Sequence, residues 1–170
     1  MKLNDKLVWV EAMTDTLTPE QRHRNMSSIR GKDTAIEVVL RKKLFAKGFR
    51  FRKNVADLPG KPDIVLPKYK TVIFIHGCFW HRHEGCRLCS TPKTRPEFWM
   101  LKFDKNIERD KRETDELIKA GWHVLVVWEC ELKSDLDGVV NELEHILKDI
   151  LPHTYRRLNL PGMQCFIRKE

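Results

Sequence analysis

The sequence predicts an α/β protein with one mixed central β-sheet flanked by helices, in the order α-β-β-β-α-β-α. Three observations carry this. The short apolar runs Asp63-Ile64-Val65-Leu66 and Thr71-Val72-Ile73-Phe74-Ile75, separated by Pro67-Lys68-Tyr69-Lys70, have the length and continuity of buried strands. A further run, Trp122 to Glu129, follows a long charged segment that opens near Pro96 and stops at Gly121, the limits a helix favours. Helical spacing then returns in Val139, Leu143, Ile146 and Ile150, so helices are available for both faces of the sheet.

The remaining elements follow in chain order. Residues 1–17 show no clean period and are read as a flexible N-terminal arm. Thr18-Pro19-Glu20-Gln21 supplies an N-cap, a proline at N1 and a glutamine at N3, which opens a basic helix running to Arg30. After Gly31, Thr34-Ala35-Ile36-Glu37 opens a second helix with Ile36, Leu40 and Leu44 on one face, and Gly48 ends it. Phe49-Arg50-Phe51-Arg52 alternates as a strand, and Leu58-Pro59-Gly60-Lys61-Pro62 is a turn. The loop 77–95 holds most of the Cys and His residues, and long loops of this kind are usually functional or clamped by a metal. A domain over 18–151 results, with 152–170 a basic, weakly patterned segment left unassigned.

Composition narrows the function classes. A chain of 170 residues with 41% hydrophobic content supports one well-cored domain. No stretch approaches the roughly 18–20 apolar residues of a membrane span, and Met1-Lys2-Leu3-Asn4-Asp5 lacks the apolar region of a signal peptide, so a cytoplasmic protein without membrane partners is expected. In that compartment five cysteines read as metal ligands or buried thiols and not as disulfides. The net charge of +8 and pI near 9.3 favour a polyanionic partner. Arg22 to Lys53 holds eleven Lys/Arg against Asp33 and Glu37, whereas Glu113 to Leu151 holds ten acids against three lysines, so the charge is one-sided as phosphate contacts require.

The chemistry-bearing residues converge on one region. Asp63 stands where a turn enters a strand, which holds a carboxylate at the rim of the sheet. Glu37 offers a second carboxylate, although its N3 position in a Thr34 capping box accounts for it structurally as well. Hard oxygen ligands of this kind suit Mg²⁺, and phosphodiester hydrolysis uses such an ion to stabilise charge on attacking and leaving oxygens. His76-Gly77-Cys78-Phe79-Trp80-His81-Arg82-His83 follows a buried strand and puts imidazoles at the same edge as Asp63, where one can serve as general base. Cys78, His83 and Cys86 are three zinc-type ligands within nine residues, with Cys130 or Cys89 as the fourth and buried thiols as the alternative. A structural zinc would immobilise a loop too short to build its own core. Phe79, Trp80 and Trp99 fall where no period demands core residues, and aromatics beside a basic face can wedge between bases. Trp122 and Trp128 fit a strand pattern and read as core, and Cys165 reads as free.

Gly60-Lys61-Pro62-Asp63, His76-Gly77-Cys78-Phe79-Trp80-His81, Thr94-Arg95-Pro96-Glu97-Phe98-Trp99, Asn106-Ile107-Glu108-Arg109-Asp110 and Val127-Trp128-Glu129-Cys130 together resemble the very-short-patch-repair (Vsr) DNA mismatch endonucleases, over roughly Gln21 to Leu132. The resemblance implies a restriction-endonuclease-like core, acting as a monomer on duplex DNA with mismatch-repair proteins as further partners. Its implied activity is a nick 5′ to the thymine of a T·G mismatch left by 5-methylcytosine deamination. Carried over by motif, Asp63 and the backbone carbonyl of Ile75 would bind Mg²⁺, with Glu37 acting through metal-bound water. His81 would be the general base, and His76 with Asp110 a supporting pair. Zinc would be held by Cys78, His83, Cys86 and Cys130, and Phe79, Trp80 and Trp99 would form an intercalating wedge. The sequence departs from the family pattern at Ile75, where a threonine can occur, and by an extra residue at Glu84-Gly85. Two rival readings remain: a restriction-type or junction nuclease on the same fold, which would cut both strands of matched DNA, and a non-catalytic zinc-stabilised DNA-binding module, which would need no Asp63, His81 and Glu37 cluster.

Overall fold

The computed structural model describes residues 18, 20, 21, 24, 27, 33–150 and 164–166, with side chains described up to residue 149. The expected arm 1–17 lies outside these residues. The chain divides into two units, Met1–Gly31 and Lys32–Glu170. Within the first, the Thr18 hydroxyl accepts from the Gln21 N–H (3.2 Å) and the Gln21 side chain accepts from the Thr18 N–H (2.8 Å). That is the capping box expected from sequence, and residues 20, 21, 24 and 27 are helical.

The second unit is a mixed sheet between helices. Helix α1 (Ala35–Ala46) leads to β1 (Ile64–Leu66), a 3₁₀ turn (Pro67–Tyr69) and β2 (Thr71–His76). Helix α2 (Pro96–Lys119) then crosses to β3 (His123–Trp128), which is followed by α3 (Glu129–Ser134), α4 (Leu136–Ile150) and β4 (Gln164–Phe166). The strands lie in the order β1-β2-β3-β4. The β1–β2 and β3–β4 pairs are antiparallel, whereas β2 and β3 run parallel with His76 opposite Trp128 at their C-terminal ends.

Two expectations are corrected by this topology. Phe49–Arg52 is not a strand, because the Phe49 N–H is spent on the Leu44 carbonyl at the end of α1. Only Arg52 pairs with Val65, through two 2.8 Å bonds, and Asn54 turns away with φ 48°. The order across the described residues of the second unit is therefore α-β-β-α-β-α-α-β. The C-terminal segment, unassigned from sequence, contributes β4.

Both faces of the sheet are covered. Leu40 and Leu44 of α1, Leu132 of α3, and Val139, Val140, Leu143, Ile146 and Leu147 of α4 pack with Ile64, Leu66, Ile73, Leu125 and Val127 on one face. Leu117 of α2 and Cys78 pack with Val65, Val72, Phe74, Val124, Val126 and Trp128 on the other. Burial holds α4 in place. Each fully buried aliphatic side chain is worth about 1.5–3 kcal/mol, whereas an exposed α1–α4 ion pair such as Lys43–Asp137 is worth about 0–1 kcal/mol. No helix among the described residues is long and apolar enough to cross a membrane.

Candidate active site and adjoining metal centre

Asp63 is delivered by a tight turn. Gly60 has φ +72°, and a Cβ there would lie 2.9 Å from both Phe74 Cζ and Glu113 Oε2, so glycine is required for the turn to lie against β2. The following Pro62-Asp63 reaches the end of β2, where the Ile75 N–H donates to Asp63 Oδ2 at 2.7 Å. Burial raises the Asp63 carboxyl to about 6; the Ile75 hydrogen bond opposes this rise and the charge of Glu37 adds to it. Arg41 and His81 favour the ionised form.

Glu37 is buried at the start of α1. Its carboxylate accepts from the Asp33 N–H (2.9 Å), the Thr34 hydroxyl (2.8 Å) and Arg41 Nη2 (3.1 Å), and the Thr34 hydroxyl in turn accepts weakly from the Glu37 N–H (3.4 Å). The capping role read from sequence is present, and the same carboxylate is close enough to Asp63 to affect its ionisation.

The imidazoles sit at the C-terminal edge of β2 and in the turns after it. His76 ends β2, and the Trp80 and His81 N–H groups both donate to the Gly77 carbonyl (3.1 Å). His81 stacks on His76 with ring centroids 3.8 Å apart and planes 9° from parallel. Its Nδ1 is 2.5 Å from Asp110 Oδ2. Burial works to raise the Asp110 carboxyl, but hydrogen bonding and charge from His81, with help from Arg109, outweigh it and the net shift is downward. An ionised Asp110 accepts the Nδ1 proton and leaves His81 Nε2 as the basic nitrogen. His76 is held neutral: burial and then the neighbouring His81 lower it to about 3. Asp110 thus hydrogen-bonds His81, and the side-chain ligand atoms of His76, His81 and Asp110 all lie within 4.8 Å of one another.

A second cluster adjoins the first. The ligand atoms of Cys78, His83, Cys86 and Cys130 all lie within 4.8 Å of one another. His83 Nδ1 is 3.7 Å from Cys78 Sγ and 3.2 Å from Cys130 Sγ. Ligands about 2.3 Å (sulfur) and 2.1 Å (nitrogen) from a tetrahedral metal stand roughly 3.6 Å apart, so this donor set fits one ion. The Leu88 N–H donates to Cys86 Sγ at 3.4 Å and lowers that thiol, whereas burial pushes the Cys78 thiol up to about 12 in the metal-free chain. Cys89 is outside the group.

Phe79, Trp80 and Trp99 meet as one partly exposed cluster, with Phe79 5.0 Å from Trp80 and 5.4 Å from Trp99. The cluster rests on two residues that sequence reasoning missed. Phe103 is buried beneath Phe79 (5.2 Å), and buried Asn106 donates to the Trp80 carbonyl (3.0 Å). The signal for both was present in the spacing of Trp99, Phe103, Asn106 and Asp110, which share one face of α2.

Comparison with known proteins gives this arrangement a context. The family model described as "DNA mismatch endonuclease Vsr" matches residues 14–87. The DNA mismatch endonuclease Vsr of Escherichia coli (strain K12) is 49% identical over 121 residues, covering 71% of this chain and 77% of that protein. The chain belongs to the Vsr family. Two further relatives are the type II nicking enzyme V.NmeAIP of Neisseria meningitidis serogroup A, 53% identical over 72% of this chain and 86% of its own, and the type II nicking enzyme V.XorIIP of Xanthomonas oryzae pv. oryzae, 47% identical over 79% and 98%. This Vsr-family protein is a DNA nicking endonuclease.

Proposed function

We propose that the protein nicks one strand of duplex DNA 5′ to the thymine of a T·G mismatch, the product of 5-methylcytosine deamination, and so initiates very short patch repair. The observation that carries the reading is the His81–Asp110 pair stacked on neutral His76 at the sheet edge where Asp63 emerges. Membership of a family described as DNA mismatch endonucleases supports the mismatch, and relatives named as nicking enzymes support cutting of a single strand.

In this reading the mixed sheet is a restriction-endonuclease-like core whose first three strands lie within the expected domain 18–151 and whose fourth, β4, comes from the segment after it. Asp63 and the Ile75 backbone carbonyl would hold Mg²⁺, with Glu37 acting on it indirectly. The donor set fits: Asp63 is a buried carboxyl with a second acid, Glu37, acting on it, so a divalent cation relieves the repulsion. When bound, Mg²⁺ stabilises the charge that develops on the phosphate and leaving oxygens. His81 Nε2 takes the proton of the attacking water, while Asp110 fixes the tautomer and stabilises the imidazolium that forms. His76 adds no competing positive charge and flanks the His81 ring.

Cys78, His83, Cys86 and Cys130 would hold a structural zinc that clamps the loop 77–95, a reading supported by their ligand atoms all lying within 4.8 Å of one another. Phe79, Trp80 and Trp99 wedge into the stack, which is easier to open at a mismatch than in matched DNA.

The test is nick mapping on T·G and matched duplexes labelled on either strand, with Mg²⁺. One nick 5′ to the mismatched T is expected. Asp63→Ala should abolish it with DNA binding retained, and His81→Ala should slow it by about 10²-fold or more. Cleavage of both strands of matched DNA would make the protein a restriction-type nuclease. Binding without a nick would make it a DNA-binding module.

A further inference from the structure

His81 rests on a turn, and a base carried on a turn needs its ring held from outside. Asp110 holds one edge through Nδ1, and His76 covers one face at 3.8 Å. What fixes His76 is visible one strand away. Trp128, its register partner at the end of β3, meets the His76 ring edge-on, with centroids 5.4 Å apart and planes at 74°. The same indole lies flat against His83, 4.1 Å away and 5° from parallel. His83 is in turn fixed through Nδ1 beside Cys78 and Cys130. Four rings therefore run without a break from the Cys/His cluster to the general base: His83, Trp128, His76, His81.

We propose that Trp128 is a positioning residue for the nuclease, setting the His76 ring and through it the His81 ring by abutting the metal-held His83. This deepens the reading of His81 as general base and rests on it. Trp128 is only 5% exposed, so it acts through its neighbours. The indole is suited to the task because it is flat and rigid and presents a face to one imidazole and an edge to the other, the two arrangements that aromatic pairs favour. An aliphatic side chain would fill the space and exclude water but would give His76 no plane to register against. The inference also assigns the Cys/His cluster a part in catalysis beyond loop stability, since its His83 is the fixed end of the stack.

Trp128→Leu, Trp128→Met and Trp128→Phe separate positioning from packing. With saturating T·G duplex and Mg²⁺, Leu and Met should lower kcat by about 10-fold or more while KM stays within about 2-fold, as misplacement of a catalytic group predicts. Phe, which keeps a ring in the stack, should recover kcat to within about 3-fold of the wild type. Zinc content should stay at the wild-type level in all three. Imidazole ¹⁵N NMR reads the ring directly: one sharp set of His76 and His81 signals in the wild type and the Phe variant, broadened or doubled sets in Leu and Met. If Leu does not fold, Met carries the same test. Wild-type kcat and sharp His81 signals in Leu or Met would overturn the proposal. So would a loss of activity that tracks zinc loss and is no smaller in Phe than in Leu. Should the wild type fail to nick T·G duplex, the function reading fails, while the NMR arm still decides whether Trp128 orders the two imidazoles.

Discussion

Asp63→Asn should stabilise the Mg²⁺-free protein at neutral pH even though it removes a residue the activity depends on. Burial lifts the Asp63 carboxyl from its ordinary 3.8 to about 6. The native state therefore binds the proton more tightly than the unfolded chain does, and stability falls as pH rises between the two values. Below the lower value the group is protonated in both states and costs nothing; above the higher one the full penalty applies. At about 1.4 kcal/mol per pH unit this is an upper bound of about 3 kcal/mol at neutral pH, and about 1 kcal/mol near pH 4.5. Asparagine carries no charge and keeps an oxygen for the Ile75 N–H, so it should escape the penalty. The assay is thermal or urea unfolding of both proteins in Mg²⁺-free buffer at several pH values. The advantage of Asp63→Asn should grow by about 2 kcal/mol from about pH 4.5 to about pH 7.5 and shrink when Mg²⁺ is added, because the ion stabilises only the wild type. An advantage independent of pH, or none at neutral pH, would show that the Asp63 carboxylate is not strained by its surroundings and would remove this argument for a cation there.

Three further predictions follow from the same geometry. Arg41→Ala strips buried Glu37 of its guanidinium partner and should cost about 3–5 kcal/mol in urea unfolding, as removal of one member of a buried pair does; a cost below about 1 kcal/mol would place Glu37 in effective contact with water. Cys78→Ser and Cys130→Ser should lower zinc content by elemental analysis together with melting temperature, whereas Cys89→Ser should leave both unchanged; a folded, active wild type without zinc would refute the metal assignment. Phe79→Ala and Trp80→Ala should weaken nicking and narrow the preference for T·G over T·A with zinc content and melting temperature near wild type. Variants that melt several degrees lower but keep their mismatch preference would show that these rings serve packing.

The elements most legible in the sequence were those whose energetics are local. Thr18 and Thr34 open helices because their hydroxyls meet amide groups three residues on, and both appear as such. The apolar runs 64–66 and 71–75 can satisfy their buried surface only as strands between two layers. Phe49–Arg52 misled because alternation reports exposure and not hydrogen bonding: the end of α1 had already claimed an amide that a strand needed. The short β4 was illegible because three residues carry too little periodic pattern to stand out.

The site divides along the same line. The amino-acid sequence by itself supplied the candidates, Asp63, Glu37, His76 and His81 together with Cys78, His83, Cys86 and either Cys89 or Cys130, with Asp110 added by the resemblance, and it placed Phe79 and Trp80 directly before His81. It also put Cys78, His83 and Cys86 within nine residues, but an extended segment of that length could hold them more than about 20 Å apart, and it is the turns His83 N–H to Cys78 and Cys86 N–H to His83 that bring them together. Only the tertiary structure decided partners across long separations: Asp110 with His81, 29 residues apart, Cys130 with His83, 47 apart, and Trp128 between His83 and His76. The parallel register of β2 and β3 brings His76 beside Trp128, and the crossover helix α2 carries Asp110 back over the loop to His81. Those choices depend on strand register and on which helix face is buried, energies that belong to the assembled sheet and to no segment of the chain alone.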